Sequence, residues 1–186
     1  MSNPFFTIGH STRSSQEFIA LIKDAQVEFV VDVRTVPRSR ANPQFNRDIL
    51  PASLAPQGVA YEHLGALGGL RGKQPGVSPE VNAFWDNASF HNYADYAMSE
   101  AFRSSLEKLC EMGHGSRLTV MCAETVWWRC HRRIIADYLI AAGEDVFHIL
   151  GAGHIEPAHL TPEAKVDSEG TITYPKDSRL MLNLDS

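Results

Sequence analysis

Residues 29–33 read Phe-Val-Val-Asp-Val, an almost unbroken run of apolar, mostly β-branched residues. Such a run without polar alternation is typical of a strand covered on both faces, as in a parallel sheet. Similar short runs occur at 5–8, 59–64, 118–122 and 145–150, and helical patterns separate them. Strands that alternate with helices, without hairpin signals, predict an α/β fold. We expect a single-domain, open, mostly parallel five-stranded sheet with helices on both faces.

The helical patterns between these runs cover residues 14–26, 46–57, 78–86, 93–112 and 127–142.

The regular alternation of strands and helices ends at Gly151. We therefore divide the chain into an α/β domain at 1–150 and a C-terminal appendage or lid at 151–186, with a small hairpin around Glu169-Gly170. The loop at 64–79 holds five glycines, which predicts a flexible flap over the sheet edge.

The composition excludes several classes of protein. The chain has 186 residues, 44% of them hydrophobic, and a formal net charge of −5, so it can form an ordinary core and is unlike a protein that coats nucleic acid with positive charge. The N-terminus lacks a secretory signal pattern, and no apolar run reaches the roughly 18 residues of a membrane span. These features predict a cytoplasmic protein with no membrane partner and with reduced thiols at its three cysteines.

Unusual residues follow each predicted strand. Segments rich in Gly, His, Arg and Cys stand at 9–13, 34–40, 63–73, 122–133 and 151–156. All strands of an open parallel sheet end at the same edge, and ligands bind in the crevice outside those carboxyl ends. We expect these segments to converge into one site.

Cys122 is the leading candidate for a nucleophile, since it ends a strand just before a loop and a predicted helix. Backbone N–H groups and the helix dipole lower the pKa of a thiol in such a place; the alternative is a buried, unreactive small side chain. Glu124 and His131 are candidates for proton transfer, although Glu124 could instead cap the helix. His10 and His63 are secondary general acid–base candidates.

Arginines concentrate in the same segments, and close guanidinium groups repel each other unless an anion joins them. Solvated surface charge is the alternative, and Asp32 could neutralise one arginine. The candidate substrate-binding residues are Arg34, Arg38, Arg40, Arg129, Arg132, Tyr61 and Trp127. Together these residues predict a small enzyme that acts on an anionic substrate, by transfer or hydrolysis through a thiolate intermediate.

Two other functions stay open. Cys122, Cys130 and His131 could bind a transition metal, although their spacing differs from that of the usual zinc motifs, and no cofactor is favoured. The basic edge could also bind nucleic-acid phosphates, as a nucleic-acid-binding or repair-associated protein would, with Trp127 or Trp128 stacking on bases.

Several ordered motifs resemble a known family, the domain-of-unknown-function family numbered 488. The motifs are TIGHS at 7–11, DVR at 32–34, PRSRANPQF at 37–45, Tyr61 and His63 ahead of LGG at 67–69, CAE at 122–124, CHR at 130–132, and His148-Ile149. The resemblance runs from about residue 5 to residue 150. It implies a compact bacterial-type cytoplasmic α/β protein suspected to be an enzyme, and it strengthens the expectation that the DVR and CAE…CHR segments form one site. It implies no particular reaction.

Overall fold

The computed structural model describes residues 2–177 and contains a main sheet in the order β3-β2-β4-β1-β5-β6. The strands are β1 (Phe5–Gly9), β2 (Phe29–Asp32), β3 (Ala60–His63), β4 (Leu118–Cys122), β5 (Val146–Gly151) and β6 (His154–Pro157). Strands β1 to β5 are parallel, and β6 pairs antiparallel with β5 at one edge. The predicted α/β fold is confirmed, with a sixth strand that the sequence analysis did not predict.

Five α-helices within residues 2–177 cover the sheet, and short 3₁₀ turns connect several elements. The helices are α1 (Ser15–Asp24), α2 (Leu50–Leu54), α3 (Ala88–Tyr96), α4 (Glu100–Gly115) and α5 (Arg132–Ala141); the 3₁₀ turns are Pro43–Phe45, Ala55–Gln57, Gly65–Leu67 and Trp127–Arg129. A second, two-stranded antiparallel sheet joins β7 (Lys165–Val166) to β8 (Ile172–Thr173). This sheet is the hairpin predicted around Glu169-Gly170.

Alternating side chains of the strands build one core on each face. Val31 and Val120 belong to the core that packs under α3, α4 and α5, whereas Val30 and Met121 belong to the core under α1 and α2. The opposite faces follow from the two-residue period of a strand. Helices therefore cover both faces of the sheet, as predicted.

The prediction of a helix at 78–86 is wrong, because turns occupy this stretch. Its Asn82 is buried and bonds to other elements: its amide nitrogen donates to Asp95 Oδ1 at 2.7 Å, and its amide oxygen accepts from the backbone N–H of Tyr174 at 2.9 Å. The backbone N–H of Phe84 also donates to the carbonyl oxygen of Tyr174, at 3.0 Å, and not to a carbonyl four residues earlier as in a helix.

Three other predicted helices are shorter than expected. The pattern at 93–112 spans two helices, because Ser99 Oγ accepts the N–H of Phe102 and so caps a new helix at Glu100. In the stretch 46–57 the α-helix is only five residues long and ends before Pro56, which has no N–H to donate. In the stretch 127–142, Cys130 is extended, and the α-helix begins only at Arg132.

The C-terminal segment contributes to both the sheet and the core. Strand β6 extends the sheet, and Ile172 and Tyr174 are fully buried in the core under α5. Tyr174 donates its hydroxyl hydrogen to Asp137 Oδ2 at 2.7 Å. The division of the chain at residue 150 stays a prediction, and positions 178–186 lie outside the described residues. Within residues 2–177, each helix is too short or too polar to cross a membrane.

A candidate thiol site at the carboxyl edge of the sheet

A cavity of about 340 Å³ opens where β1, β2 and β4 end. We call it the edge cavity, and its lining residues are His10, Arg34, Thr35, Val36, Arg38, Ser39, Gly69, Leu70, Ser89, Phe90, Tyr93, Cys122, Ala123, Glu124, Arg129, Cys130 and His131. Segments far apart in sequence therefore converge at the predicted edge. Arg40, Tyr61, His63, Trp127 and Arg132, also named from the sequence, do not line it.

Two cysteines meet at the edge cavity. The sulfur atoms of Cys122 and Cys130 lie 2.8 Å apart, and the two side chains are buried. The Nε of Arg132 donates to Cys122 Sγ at 3.0 Å and to Cys130 Sγ at 3.4 Å. The backbone N–H of Arg132, at the start of α5, lies 3.5 Å from Cys130 Sγ. One guanidinium group and a helix N-terminus thus face this pair of sulfurs.

Arg132 lies behind the cysteines and is 1% exposed. Its two terminal nitrogens donate to Thr7 Oγ1 at 3.1 Å and to the carbonyl oxygen of Glu124 at 2.5 Å. The sequence analysis named Arg132 as a substrate-binding residue, but the structure places it as a support for the sulfurs.

A hydrogen-bonded chain continues from Arg132 to His148. Thr7 Oγ1 accepts from Arg132 at 3.1 Å and lies 2.6 Å from His148 Nδ1, and a hydroxyl hydrogen directed at Nδ1 satisfies both groups. Burial and then the charge of Arg132 lower the pKa of His148 to about 4. Trp127 stacks on this neutral imidazole, with 4.4 Å between ring centroids.

His131 is oriented by a backbone carbonyl. Its Nε2 lies 2.9 Å from the carbonyl oxygen of Val33, which can only accept, so Nε2 carries the hydrogen. The lone pair on Nδ1 then faces Cys130 Sγ at 3.6 Å. Gly69 packs on the ring so closely that an added Cβ would lie 2.6 Å from Nδ1. His131 is therefore held where it can take a proton from Cys130.

The two thiols have opposite pKa shifts. Burial raises the pKa of Cys122, and its hydrogen bond to Cys130 raises it further, well above the ordinary thiol value. Burial also acts to raise the pKa of Cys130, but hydrogen bonds from Cys122 and His131 and the charge of Arg132 outweigh it and hold this pKa well below the ordinary value. The geometry agrees with the lowered pKa of Cys130, because its sulfur has the N–H of Arg132 and His131 Nδ1 beside it in addition to the guanidinium.

The sequence analysis named Cys130 only as a metal ligand. The sequence did carry a signal for a reactive thiol at this position, because Cys130 and His131 stand just before α5. Reading 127–142 as one continuous helix hid it, because the extended backbone at Cys130 is what lets the thiol precede a helix N-terminus.

Arg34 is neutralised by Asp32. Its Nε and one terminal nitrogen donate to the two carboxylate oxygens of Asp32 at 2.9 and 2.7 Å. Tyr61 donates its hydroxyl hydrogen to Asp32 Oδ2 at 2.5 Å, and burial and this bond raise the pKa of Tyr61 far above its usual value. Tyr61 thus holds Asp32 and lies outside the edge cavity.

His10 and His63 both bond to Arg34. A terminal nitrogen of Arg34 lies 3.2 Å from His10 Nε2, which must accept, and His10 Nδ1 donates to the carbonyl oxygen of Ser11 at 2.8 Å. Burial, together with the charge of Arg34, lowers the pKa of His10. His63 Nε2 donates to the carbonyl oxygen of Arg34 at 2.7 Å. Both imidazoles therefore hold the loop after β2.

The mouth of the edge cavity carries exposed charges of both signs. Arg38 and Arg129 are exposed there, as is Glu124, whose carboxylate accepts the N–H of Val126 at 3.2 Å. Other basic residues point elsewhere: Arg71 donates to the carbonyls of Gly65 and Gly68, and Arg133 lies over the Trp85 ring. The basic residues converge only in part.

The loops after β1 and β4 run side by side. The N–H of His10 donates to the carbonyl of Cys122 at 2.8 Å, and the N–H of Ser11 donates to that of Ala123 at 3.0 Å. An added Cβ at Gly9 would lie 1.9 Å from the carbonyl oxygen of Glu124. This contact requires glycine and explains that residue of the TIGHS motif.

The described residues contain no group of three or more His, Cys, Asp and Glu side chains that could hold a metal ion. Cys122, Cys130 and His131 do lie close together, but the guanidinium of Arg132 occupies the position of a cation against both sulfurs. This donor set does not fit a metal.

The family model described as "Domain of unknown function DUF488" matches residues 14–139. The chain belongs to the DUF488 family. Comparison with curated proteins and with solved structures gives no match. The segment that matches the DUF488 model includes both site cysteines and Arg132, whereas Thr7 and His148, the other members of the hydrogen-bonded chain, lie outside it.

Proposed function

We propose that this DUF488 protein is a small enzyme that uses the Cys130 thiolate as a nucleophile on an anionic substrate bound in the edge cavity. The observation that carries this proposal is the buried guanidinium of Arg132, placed against two sulfurs 2.8 Å apart. Its hydrogen-bond partners within residues 2–177 are those sulfurs, one hydroxyl and two backbone carbonyls. A buried cation needs an anion nearby, and a thiolate is the one that these partners can supply.

The cavity supports a substrate with an apolar body and one anionic group. Val36, Leu70 and Phe90 form apolar walls, and the cationic groups at the mouth belong to Arg38 and Arg129. A volume of about 340 Å³ is that of a small-molecule site. His131 takes the proton of Cys130, and the Cys122 thiol donates a hydrogen bond to the resulting thiolate. A cytoplasmic location, where thiols remain reduced, suits such an enzyme.

Alkylation with iodoacetamide between pH 5 and pH 9, followed for each cysteine by peptide mass spectrometry, tests this proposal. We expect Cys130 to react with an apparent pKa below the ordinary value of about 8.5. Cys110 is the internal control, since burial and then the charges of Glu144 and Glu107 raise its pKa to about 11. An ordinary apparent pKa for Cys130 contradicts the proposal.

The variant Arg132→Lys tests the source of the activation. Lysine keeps the charge but cannot reach the sulfurs, Thr7 and Glu124 together, so we expect the alkylation rate of Cys130 at pH 7 to fall at least about tenfold. Arg133→Lys is the matched control, because the guanidinium at this next position bonds to Thr161. Equal rates for the two variants contradict a role of Arg132.

A further inference from the structure

We propose that the reaction at this site is the two-electron reduction of a hydroperoxide, in which Cys130 attacks the peroxide and Cys122 closes a disulfide with it. This inference rests on the proposed function, because it uses the same thiolate, and it names the class of substrate.

The second thiol carries the inference. A thiolate enzyme that forms an acyl or phosphoryl intermediate needs one nucleophilic sulfur, and a second nucleophilic sulfur 2.8 Å away competes for the transferred group. A second thiol does have a part when the first sulfur becomes oxidised, because it attacks the sulfenic acid and releases water. The S–S bond of a disulfide is about 2.05 Å long, so the two sulfurs need to approach each other by less than about 1 Å.

The surroundings of the pair suit this sequence of steps. Both cysteines are 5% exposed or less, at the edge cavity, so the sulfenic acid would meet Cys122 before any bulky external thiol. Arg132 stabilises the thiolate before the reaction and keeps its bonds to Thr7 and Glu124 when that charge is lost. In the disulfide Arg132 has no anion beside it, so the site favours the charged dithiol, and the disulfide is readily reduced again.

The reduction takes two steps, one at each sulfur. Cys130 transfers its proton to His131 Nδ1, and the thiolate attacks the terminal oxygen of the hydroperoxide, forming an S–O bond and breaking the O–O bond. The leaving alkoxide takes the proton back from His131, which gives an alcohol and Cys130 sulfenic acid. The Cys122 sulfur then attacks the Cys130 sulfur, and its proton leaves with the hydroxide as water. Two thiols are oxidised to one disulfide while the hydroperoxide is reduced, and an external dithiol returns the pair to the thiol state.

The experiment treats the reduced protein with one equivalent of tert-butyl hydroperoxide at pH 7, followed by iodoacetamide and peptide mapping. We expect a Cys122–Cys130 disulfide to form at least about tenfold faster than Cys110 is oxidised. With excess dithiothreitol, the protein should consume the hydroperoxide over many turnovers. Cys110→Ser is the control variant and should behave as the native protein does.

The variant Cys122→Ser separates the two steps. It should stop at a Cys130 sulfenic acid that dimedone traps, whereas Cys130→Ser should give neither the disulfide nor the trapped product. Disulfide formation in the native protein no faster than oxidation of Cys110 overturns the inference, and this measurement needs no variant to fold. If Cys130 still alkylates with a lowered pKa in that case, the proposed function stands and only the substrate class is wrong. An ordinary pKa of Cys130 overturns both.

Discussion

Single contacts set the charge of the buried side chains near the site. His148 shows this most directly, because it accepts from Thr7, stacks on Trp127 and lies close to the charge of Arg132. Each of these contacts suits a neutral imidazole. In an unfolded chain the same side chain titrates near pH 6.5, so the folded protein excludes a proton that the unfolded chain binds.

His148 therefore makes stability depend on pH. Its share of the free energy of unfolding is complete above about pH 6.5 and is lost as pH falls toward the folded pKa of about 4. Between pH 7 and pH 5 the loss amounts to about 2 kcal/mol. Urea unfolding at pH 7 and at pH 5 should show this loss of unfolding free energy in the native protein but not in His148→Gln. His154→Gln, at an exposed histidine, should keep the native difference; the same difference in His148→Gln contradicts the assignment.

At the scale of residues, the sequence predicted several of the residues that line the edge cavity but not what each one contacts. Cys122, His131 and Arg34 could be found because they follow predicted strands. The burial of Arg132 could not be found, because its partner Thr7 is 125 positions away. The same holds for Tyr61 and Asp32, which meet through strand pairing. Roles that depend on contacts between distant strands are not visible in a local pattern.

At the scale of elements, the strands were the easiest to predict and the limits of helices the hardest. Continuous apolar runs such as 118–122 predict buried strands whatever the local capping, because burial on both faces dominates there. Helix limits depend on single residues such as Ser99 and Pro56, which interrupt a periodic pattern without changing it. The loop at 64–79, predicted as a flexible flap, likewise depends on single contacts that its glycine-rich pattern does not show. Its Gly68 and Gly69 pack against Thr35 and His131.

Gly69 connects this loop to the thiol site. In Gly69→Ala the new Cβ would lie 2.6 Å from His131 Nδ1, so the ring must shift and the 3.6 Å contact of Nδ1 with Cys130 Sγ is disturbed. We expect the alkylation rate of Cys130 at pH 7 to fall several-fold. Gly72→Ala is the matched control from the same loop, because no atom lies within 4 Å of its added Cβ. A native rate in Gly69→Ala would show that His131 does not activate the thiol.

At the scale of the whole molecule, the segment after residue 151 helps to close the core. Ile172 is fully buried, and its N–H donates to Tyr138 Oη at 3.1 Å on α5. Helix α5 also carries Arg132, so this segment supports the helix that holds the site. The sequence predicted the hairpin but not its packing, since two-residue strands leave no periodic signal.

Replacement of Ile172 should measure this contribution. We expect Ile172→Ala to lower the free energy of unfolding by about 2–5 kcal/mol, through lost burial and an internal cavity. Val166→Ala is the control from the other strand of the hairpin, where the side chain is 42% exposed, and should change it by less than about 0.5 kcal/mol. Denaturant unfolding compares the two, and equal values would mean that the hairpin adds little to stability.

The central position of β1 has a consequence for where the domain limits of this chain are placed. The family match begins at residue 14, after β1 has ended, and stops at residue 139, before β5 begins. β1 pairs with both β4 and β5, and it supplies Thr7 and the glycine that the neighbouring loop requires. A chain trimmed to the matched boundaries would keep the order β3-β2-β4 and expose a bare sheet edge beside the two cysteines. The segment that the family model matches is thus shorter than the unit that folds, and domain boundaries for expression belong outside the first and fifth strands.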